Sequence, residues 1–169
     1  SQMFHVPIEK IVKGNPEYAL RQKGKVATLA LGYQGGTNAL ISMGALDMGL
    51  SEEELPEIVT RWRNANKNIV RLWYKVGECA LATTKDGRAR TYNGLIFRLE
   101  EDLNRGLRFL TIELPSKRKL FYCKPFAGAG RFGDVLTFFS QNQTTKKWGE
   151  EQTFGGKLVE NIVQAIARE

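Results

Sequence analysis

Histidine and cysteine are scarce in this chain of 169 residues, which contains one histidine and two cysteines. The single histidine, His5, excludes zinc sites built from several histidines and proton relays between histidines. Cys79 and Cys123 lie 44 positions apart and neither has a second cysteine nearby, so they form neither a zinc half-site nor a disulfide framework. Sparse thiols of this kind are typical of a reducing cytoplasm, and we expect a cytoplasmic protein.

Long apolar runs are also absent. No stretch approaches the ~20 consecutive apolar residues that a membrane-spanning helix needs. The first five residues, Ser1 to His5, have neither the charged start nor the apolar core of a signal peptide. We therefore expect no membrane partner.

Positive charge is in excess. Lys and Arg together number 25 against 18 for Asp and Glu, which gives a net charge of +7. This balance favours an anionic partner, such as a nucleic acid, a nucleotide or an acidic surface. The hydrophobic fraction of 42% is typical of a globular protein rather than of a disordered tail.

The residue pattern predicts an α+β fold in four segments. Residues 1–14 form a connection, residues 15–84 are helical, residues 85–148 form a β-rich insertion, and residues 149–169 begin another helix. Within the helical segment, Asn15 and Pro16 predict the start of a helix that runs to Tyr33, where Gly35 and Gly36 end it. A second helix is expected from Thr37 to Asp47.

Capping and turn signals mark the remaining elements. Ser51 and Glu54 form a capping box before a third helix, and residues 66–68 interrupt the helical pattern, which then resumes to about Thr84. In the insertion, strands are expected at residues 88–97, 107–114, 119–124 and 134–140, with a hairpin turn at Pro115 and Ser116. The last helix is expected from Lys157 and is still running at Glu169.

A glycine-rich motif and a basic run in the β-rich segment are both interpreted as parts of hairpins. The spacing of Gly128, Gly130 and Gly133 matches a dinucleotide-binding fingerprint, but no helix pattern follows it, so a hairpin loop is expected instead. The basic run Lys117 to Lys119 is expected to be a solvated hairpin tip.

Four residues spaced four apart form a stripe on the first helix: Arg21, Lys25, Leu29 and Tyr33. Each step of four advances about 40° around a helix, so the stripe winds slowly along one side. Arg21 and Lys25 suit phosphate oxygens, and Tyr33 suits stacking on a base. From spacing alone, an amphipathic helix whose basic residues only face water remains an open alternative.

Two short segments are candidates for contact with a nucleic acid strand. Gly35 and Gly36 would let a strand approach the backbone closely. Lys146 and Lys147 carry charge that suits a DNA backbone, and Trp148 beside them offers a stacking surface. A solvated turn with one packed tryptophan explains the second segment equally well.

The pattern Arg-x3-Lys-x3-Leu-x3-Tyr-x-Gly resembles motif B of the family A DNA polymerases, and its wording resembles the phage and prophage branch. The resemblance continues in order over nearly the whole chain. It includes Ser1-Gln2-Met3-Phe4, Met43-Gly44-Ala45-Leu46, Trp62-Arg63-Asn64-Ala65-Asn66, Lys146-Lys147-Trp148 and Val159-Glu160-Asn161-Ile162-Val163-Gln164-Ala165-Ile166.

The resemblance implies a role for each residue of the stripe. Arg21 and Lys25 would hold the triphosphate of the incoming dNTP, and Tyr33 would lie near the templating base. Leu29 occupies the position at which many relatives carry Phe or Tyr against the sugar. The family usually has Tyr followed directly by Gly, whereas Gln34 lies between Tyr33 and Gly35 in this chain. The helical segment would be the fingers, which close over the dNTP on primer–template DNA, and the last helix would begin part of the palm.

The resemblance also implies what lies outside the chain. The family holds two metal ions, Mg²⁺ in the parent enzyme, with an Asp-x-Ser-x-x-Glu motif and a His-Asp-Glu motif. Neither motif occurs here. We therefore expect no catalytic or metal-binding residue in this chain, no polymerisation by it alone, and self-association through exposed palm surface. The alternative from a different class is a non-catalytic, basic nucleic-acid-binding module.

Overall fold

The computed structural model describes residues 6–131 and 133–168, and it has the expected α+β composition. The described chain divides into two compact units, one ending at Arg71 and the other beginning at Leu72. The first unit is helical, and the second contains a six-stranded antiparallel sheet. The division falls inside a long helix, 13 residues before the boundary at 84 that the sequence pattern suggested.

The first unit contains α1 (Ala19–Leu31), α2 (Thr37–Ser42), α3 (Leu55–Ala65) and the start of α4 (Lys67–Asp86). Two 3₁₀ turns, Ile8–Lys10 and Pro16–Tyr18, precede α1. Apolar side chains from these helices and their connections form its core: Val26, Ala27, Ala30, Leu31, Leu40, Ala45, Leu55, Ile58, Val59 and Trp62.

The predicted end of α1 was wrong, whereas the helical run begins at Pro16 as predicted, with a 3₁₀ turn in place of the first turn of the α-helix. The Asn15 side chain donates to the backbone oxygen of Lys10 at 3.1 Å and does not cap a helix, and a 3₁₀ turn from Pro16 precedes α1. After Leu31, the residue in the left-handed conformation is Gln34, with φ 70°, rather than Gly35 or Gly36. The helix therefore ends in a turn that a non-glycine residue completes.

Local signals placed the next elements correctly, although α2 is shorter than expected. It ends at Ser42, and Gly44 at φ 83° belongs to the turns that follow. Half of the capping box is confirmed, since the Glu54 carboxylate accepts from the Ser51 N–H at 2.8 Å and from the Ser51 hydroxyl at 3.0 Å. These hydrogen bonds lower the pKa of Glu54. The other half was wrong, because the Ser51 hydroxyl donates to Glu54 instead of capping the helix, and α3 begins at Leu55 without a side-chain cap.

The second unit is a meander in which each strand pairs antiparallel with the next. Its strands are β1 (Arg90–Tyr92), β2 (Leu95–Asp102), β3 (Leu107–Glu113), β4 (Lys119–Gly130), β5 (Gly133–Gln141) and β6 (Trp148–Thr153). The single strand expected at 88–97 is two strands, joined by a turn at Asn93 and Gly94, which both have positive φ. β6 was not predicted, and it extends the β-rich segment beyond residue 148.

One face of this sheet is buried, and α5 (Gly155–Ile166) contributes to the same core. Asn161 of α5 donates from Nδ2 to the hydroxyl of the buried Tyr122 in β4 at 3.2 Å, and burial raises the pKa of Tyr122. A Cβ on Gly155 would overlap the backbone oxygen of Trp73, so α4 and α5 approach closely at a glycine. α5 ends at Ile166, whereas the sequence pattern predicted a helix still running at Glu169, which lies outside the described residues.

Of the two hairpin predictions, the one for residues 117–119 was wrong and the one for the glycines at 128–133 is confirmed. Arg118 donates from Nη2 to the backbone oxygen of Ala165 at 2.6 Å, at the end of α5, so the tip at 117–119 is not simply solvated. Gly130 and Gly133 pair across the β4–β5 hairpin, as expected for a hairpin loop. Among the described helices, none is long and apolar enough to cross a membrane.

Candidate functional site

One side of α1 is exposed and carries three of the four predicted residues. Arg21, Lys25 and Leu29 are exposed, and 53% of the surface of Leu29 is accessible although it is a large apolar residue. At about 100° per residue, Val26 and Ala30 fall toward the other side of the helix, where they are buried. The sequence thus orients α1 with its apolar side in the core and the stripe outward.

The two cations of this stripe are available to a ligand. Within the part of the chain that the structure describes, neither Arg21 nor Lys25 pairs with a carboxylate. The Arg21 guanidinium lies 6.0 Å from the centre of the Tyr18 ring, which leaves its N–H groups for other acceptors. The exposed α1 face therefore combines two uncompensated positive charges with an exposed leucine.

Tyr33 does not lie on the helix as the stripe required. It follows the end of α1 in a turn and is partly buried. Its direction is set by the backbone of residues 32–34, including the left-handed Gln34, and not by helical periodicity. The helical stripe therefore ends at Leu29, and Tyr33 stands beside its end on a separate turn.

The turn after Tyr33 is packed tightly around Gly35. A Cβ on Gly35 would overlap the backbone oxygen of Ala30 and would lie 2.9 Å from the Ala39 Cβ. Gly36, in contrast, has nothing within 4 Å of the corresponding position. Internal packing accounts for the glycine at position 35. Close approach of a nucleic acid strand stays a prediction, and of these two glycines Gly36 is the one with open space beside it.

Arg63 of α3 holds this turn, and the sequence reasoning did not single it out. Its Nη2 donates to the backbone oxygen of Gly35 at 3.1 Å, across 28 positions of sequence. Its Nε is buried without a hydrogen-bond partner among the described residues. No local pattern announces a side chain that bonds to a distant backbone oxygen, so only the folded chain reveals this contact.

Replacing Arg63 with methionine is expected to lower the free energy of unfolding of the first unit by about 1.5 kcal/mol, because the Gly35 oxygen loses a charged donor. Urea denaturation followed by the fluorescence of Trp62, which is buried in the first unit, in a Trp73→Phe, Trp148→Phe background measures this change. Arg61→Met is the matched control, since exposed Arg61 pairs with Glu57 one turn away on the same helix. Equal stability of the two variants would show that the Arg63 contact does not hold the turn.

Lys146 and Lys147 lie apart from α1 in the chain, at the end of the β5–β6 connection, and both are exposed. Neither lysine pairs with a carboxylate among residues 6–131 and 133–168. Trp148, the first residue of β6, is 66% exposed. The interpretation of Trp148 as a packed residue in a solvated turn was therefore wrong, and a charged pair stands beside an accessible indole.

The described residues do not fit a metal centre. Residues 6–131 and 133–168 contain no group of three or more His, Cys, Asp or Glu side chains placed to hold an ion. Glu54, in the acidic run before α3, is engaged with Ser51.

Sequence comparison supports the polymerase resemblance at a coarse level. Over its whole length, the chain is 51% identical to a DNA polymerase of Bacillus phage SP02, across 171 aligned residues. It is similar to one part of a phage DNA polymerase. The aligned region is 25% of that protein, so the chain spans about a quarter of this relative. No protein-family model and no solved structure matches the chain.

Proposed function

We propose that this chain is the fingers region, with the beginning of a palm helix, of a family A DNA polymerase of the phage type. The observation that carries the proposal is the exposed α1 face with its two uncompensated cations, Arg21 and Lys25, in a chain half identical to part of a phage polymerase. The motif B resemblance supplies the family and the role of each residue.

In this proposal α1 binds the incoming dNTP. The Arg21 guanidinium donates two hydrogen bonds to phosphate oxygens, and the Lys25 ammonium adds a point charge one turn further along. Leu29 lies against the sugar, and Tyr33, on its own turn, lies near the templating base. Closure of the fingers over a correct base pair brings these groups together and favours the correct nucleotide.

The proposal assigns nucleotide binding to this chain and chemistry to the rest of the enzyme. In the parent protein Mg²⁺ would neutralise charge on the transferred phosphate, and its ligands would lie outside the chain. We therefore expect the isolated chain to give no templated primer extension with Mg²⁺ and dNTPs. Cytoplasmic location of the protein stays a prediction. Self-association of the isolated chain also stays a prediction, and light scattering tests it.

Added dTTP is expected to raise the melting temperature of the chain, whereas thymidine at the same concentration leaves it unchanged, because the triphosphate supplies the partner for Arg21 and Lys25. At about 100 times the dissociation constant, a ligand stabilises the folded state by about 2.7 kcal/mol. Differential scanning fluorimetry with both compounds measures the difference.

The same titration separates the two classes of function. A non-catalytic nucleic-acid-binding module would respond to oligonucleotides and would show no shift with dTTP at millimolar concentration. That result, with intact folding by circular dichroism, would count against the polymerase fingers and in favour of the module.

A further inference from the structure

One face of the sheet carries several aromatic side chains that the proposed nucleotide site does not use. In antiparallel strands, residues opposite each other share a face, as do residues two apart along a strand. Phe109 pairs with Cys123, which pairs with Phe139, and Gln141 pairs with Trp148. A register shift after Cys123 pairs Phe126 with Thr137, two residues from Phe139, so Phe126 shares this face. The resulting face, which we name the aromatic face, contains Phe109, Phe121, Phe126, Phe139 and Trp148.

The aromatic face lies opposite the buried face of the sheet, and its rings range from partly buried, at Phe109 and Phe139, to exposed. Phe121 is 59% exposed, Trp148 is 66% exposed and Phe126 is also exposed. Phe109 braces Phe121 edge to face, with ring centres 6.0 Å apart. Exposed rings held in a fixed place by a sheet are typical of interaction surfaces rather than of a solvated edge.

Three cations accompany these rings. The Lys124 ammonium lies 5.9 Å from the centre of the Phe139 ring, and Lys146 and Lys147 directly precede Trp148. None of the three pairs with a carboxylate in the described ranges. Two further cations of this face, Arg98 and Lys119, are neutralised by Glu113 and Glu100. Glu150, which lies opposite Phe139, adds one negative charge, so the charge of these three lysines and Glu150 together is positive.

We infer that the aromatic face binds single-stranded DNA, with unpaired bases stacked on Trp148, Phe139 and Phe121 and the backbone held by Lys124, Lys146 and Lys147. Adjacent strands lie about 4.8 Å apart, so β4, β5 and β6 each present a ring to successive bases. Proteins bind single strands with such rings and flanking positive charge, because unpaired bases can stack on them. In a duplex the faces of the bases are already stacked on neighbouring base pairs and cannot reach the rings. The choice of DNA as the ligand rests on the proposed function, because the unpaired template is the single strand that a polymerase encounters.

Trp148 provides a direct probe of this contact. The chain has three tryptophans, and the other two, Trp62 and Trp73, are buried. Added (dT)12 is therefore expected to quench the exposed tryptophan fluorescence, while duplex DNA of equal length quenches much less. Binding of fluorescein-labelled (dT)12, followed by anisotropy, should weaken with added salt.

The variants make the test specific. Trp148→Ala with Phe121→Ala is expected to weaken (dT)12 binding at least 10-fold, from the loss of two stacking contacts. Trp148→Phe should keep the affinity within about threefold and lose the quenching. Tyr74→Ala, which removes another exposed aromatic ring of the second unit, is the matched control and should change neither signal.

Three results would overturn the inference. They are unchanged (dT)12 affinity in the folded double variant, equal binding of single-stranded and duplex DNA, and a monomer–dimer shift by light scattering that the double variant alone abolishes. The last result would assign the aromatic face to a second copy of the chain. Because this assay contains no dNTP, a failed dTTP titration with intact (dT)12 quenching rejects the proposed function and leaves this inference standing.

Discussion

Arg21→Ala combined with Lys25→Ala is expected to abolish the stabilisation of the chain by dTTP. Each cation contributes a charge-assisted hydrogen bond, worth about 1.5 kcal/mol or more, to the triphosphate. Losing both weakens dTTP binding at least about 100-fold. Both side chains are exposed and unpaired in the described structure, so the melting temperature without ligand should barely change. Isothermal titration calorimetry and melting curves give the two quantities separately.

The chain offers a closely matched control for this variant. Lys67 and Arg71 are also an exposed Lys and Arg spaced four apart on a helix, and they lie on α4. Lys67→Ala with Arg71→Ala removes the same charge and should leave dTTP binding within about twofold. If both double variants lose affinity equally, the effect is one of net charge, and the α1 site is wrong.

Gly35→Ala is expected to destabilise the first unit by about 3 kcal/mol. The added methyl would overlap the backbone oxygen of Ala30 and crowd Ala39, and a backbone oxygen cannot rotate away as a flexible side chain can. For a unit of this size, the melting temperature should fall by more than about 10 °C. Thermal unfolding followed by circular dichroism at 222 nm reports the loss of its helices.

The neighbouring glycine is the control. Gly36 has φ −126° and nothing within 4 Å of an added Cβ, so Gly36→Ala should change the melting temperature by no more than about 2 °C. Similar losses in both variants would show that the turn needs flexible glycine rather than the close packing at Gly35.

Signals that act within a few residues predicted several local elements correctly. The Ser51–Glu54 interaction, the break near Asn66 and the hairpin at 114–118 all depend on neighbours in sequence, and each is found in the structure. The exposed position of Arg21 and Lys25 followed from helical periodicity. The α1 face could therefore be placed from the sequence, although its chemical role came from the family resemblance.

Contacts between distant residues could not be predicted in this way. Arg63 reaches Gly35, and Arg118 reaches Ala165, through hydrogen bonds to backbone oxygens that no side-chain pattern announces. β6 was missed because its sequence, Trp148-Gly149-Glu150-Glu151-Gln152-Thr153, is mostly polar and is held by its pairing with β5. The end of α1 was misplaced because Gln34, and not a glycine, takes the left-handed conformation.

The most direct test of the central claim, that α1 binds the triphosphate, is a titration of the ¹⁵N-labelled chain with dTTP followed by amide chemical shifts. The account predicts the largest shifts between Arg21 and Gly36, saturating with dTTP and absent with thymidine. Shifts confined to the sheet between Arg90 and Thr153, or no saturable shifts at millimolar dTTP, would contradict it.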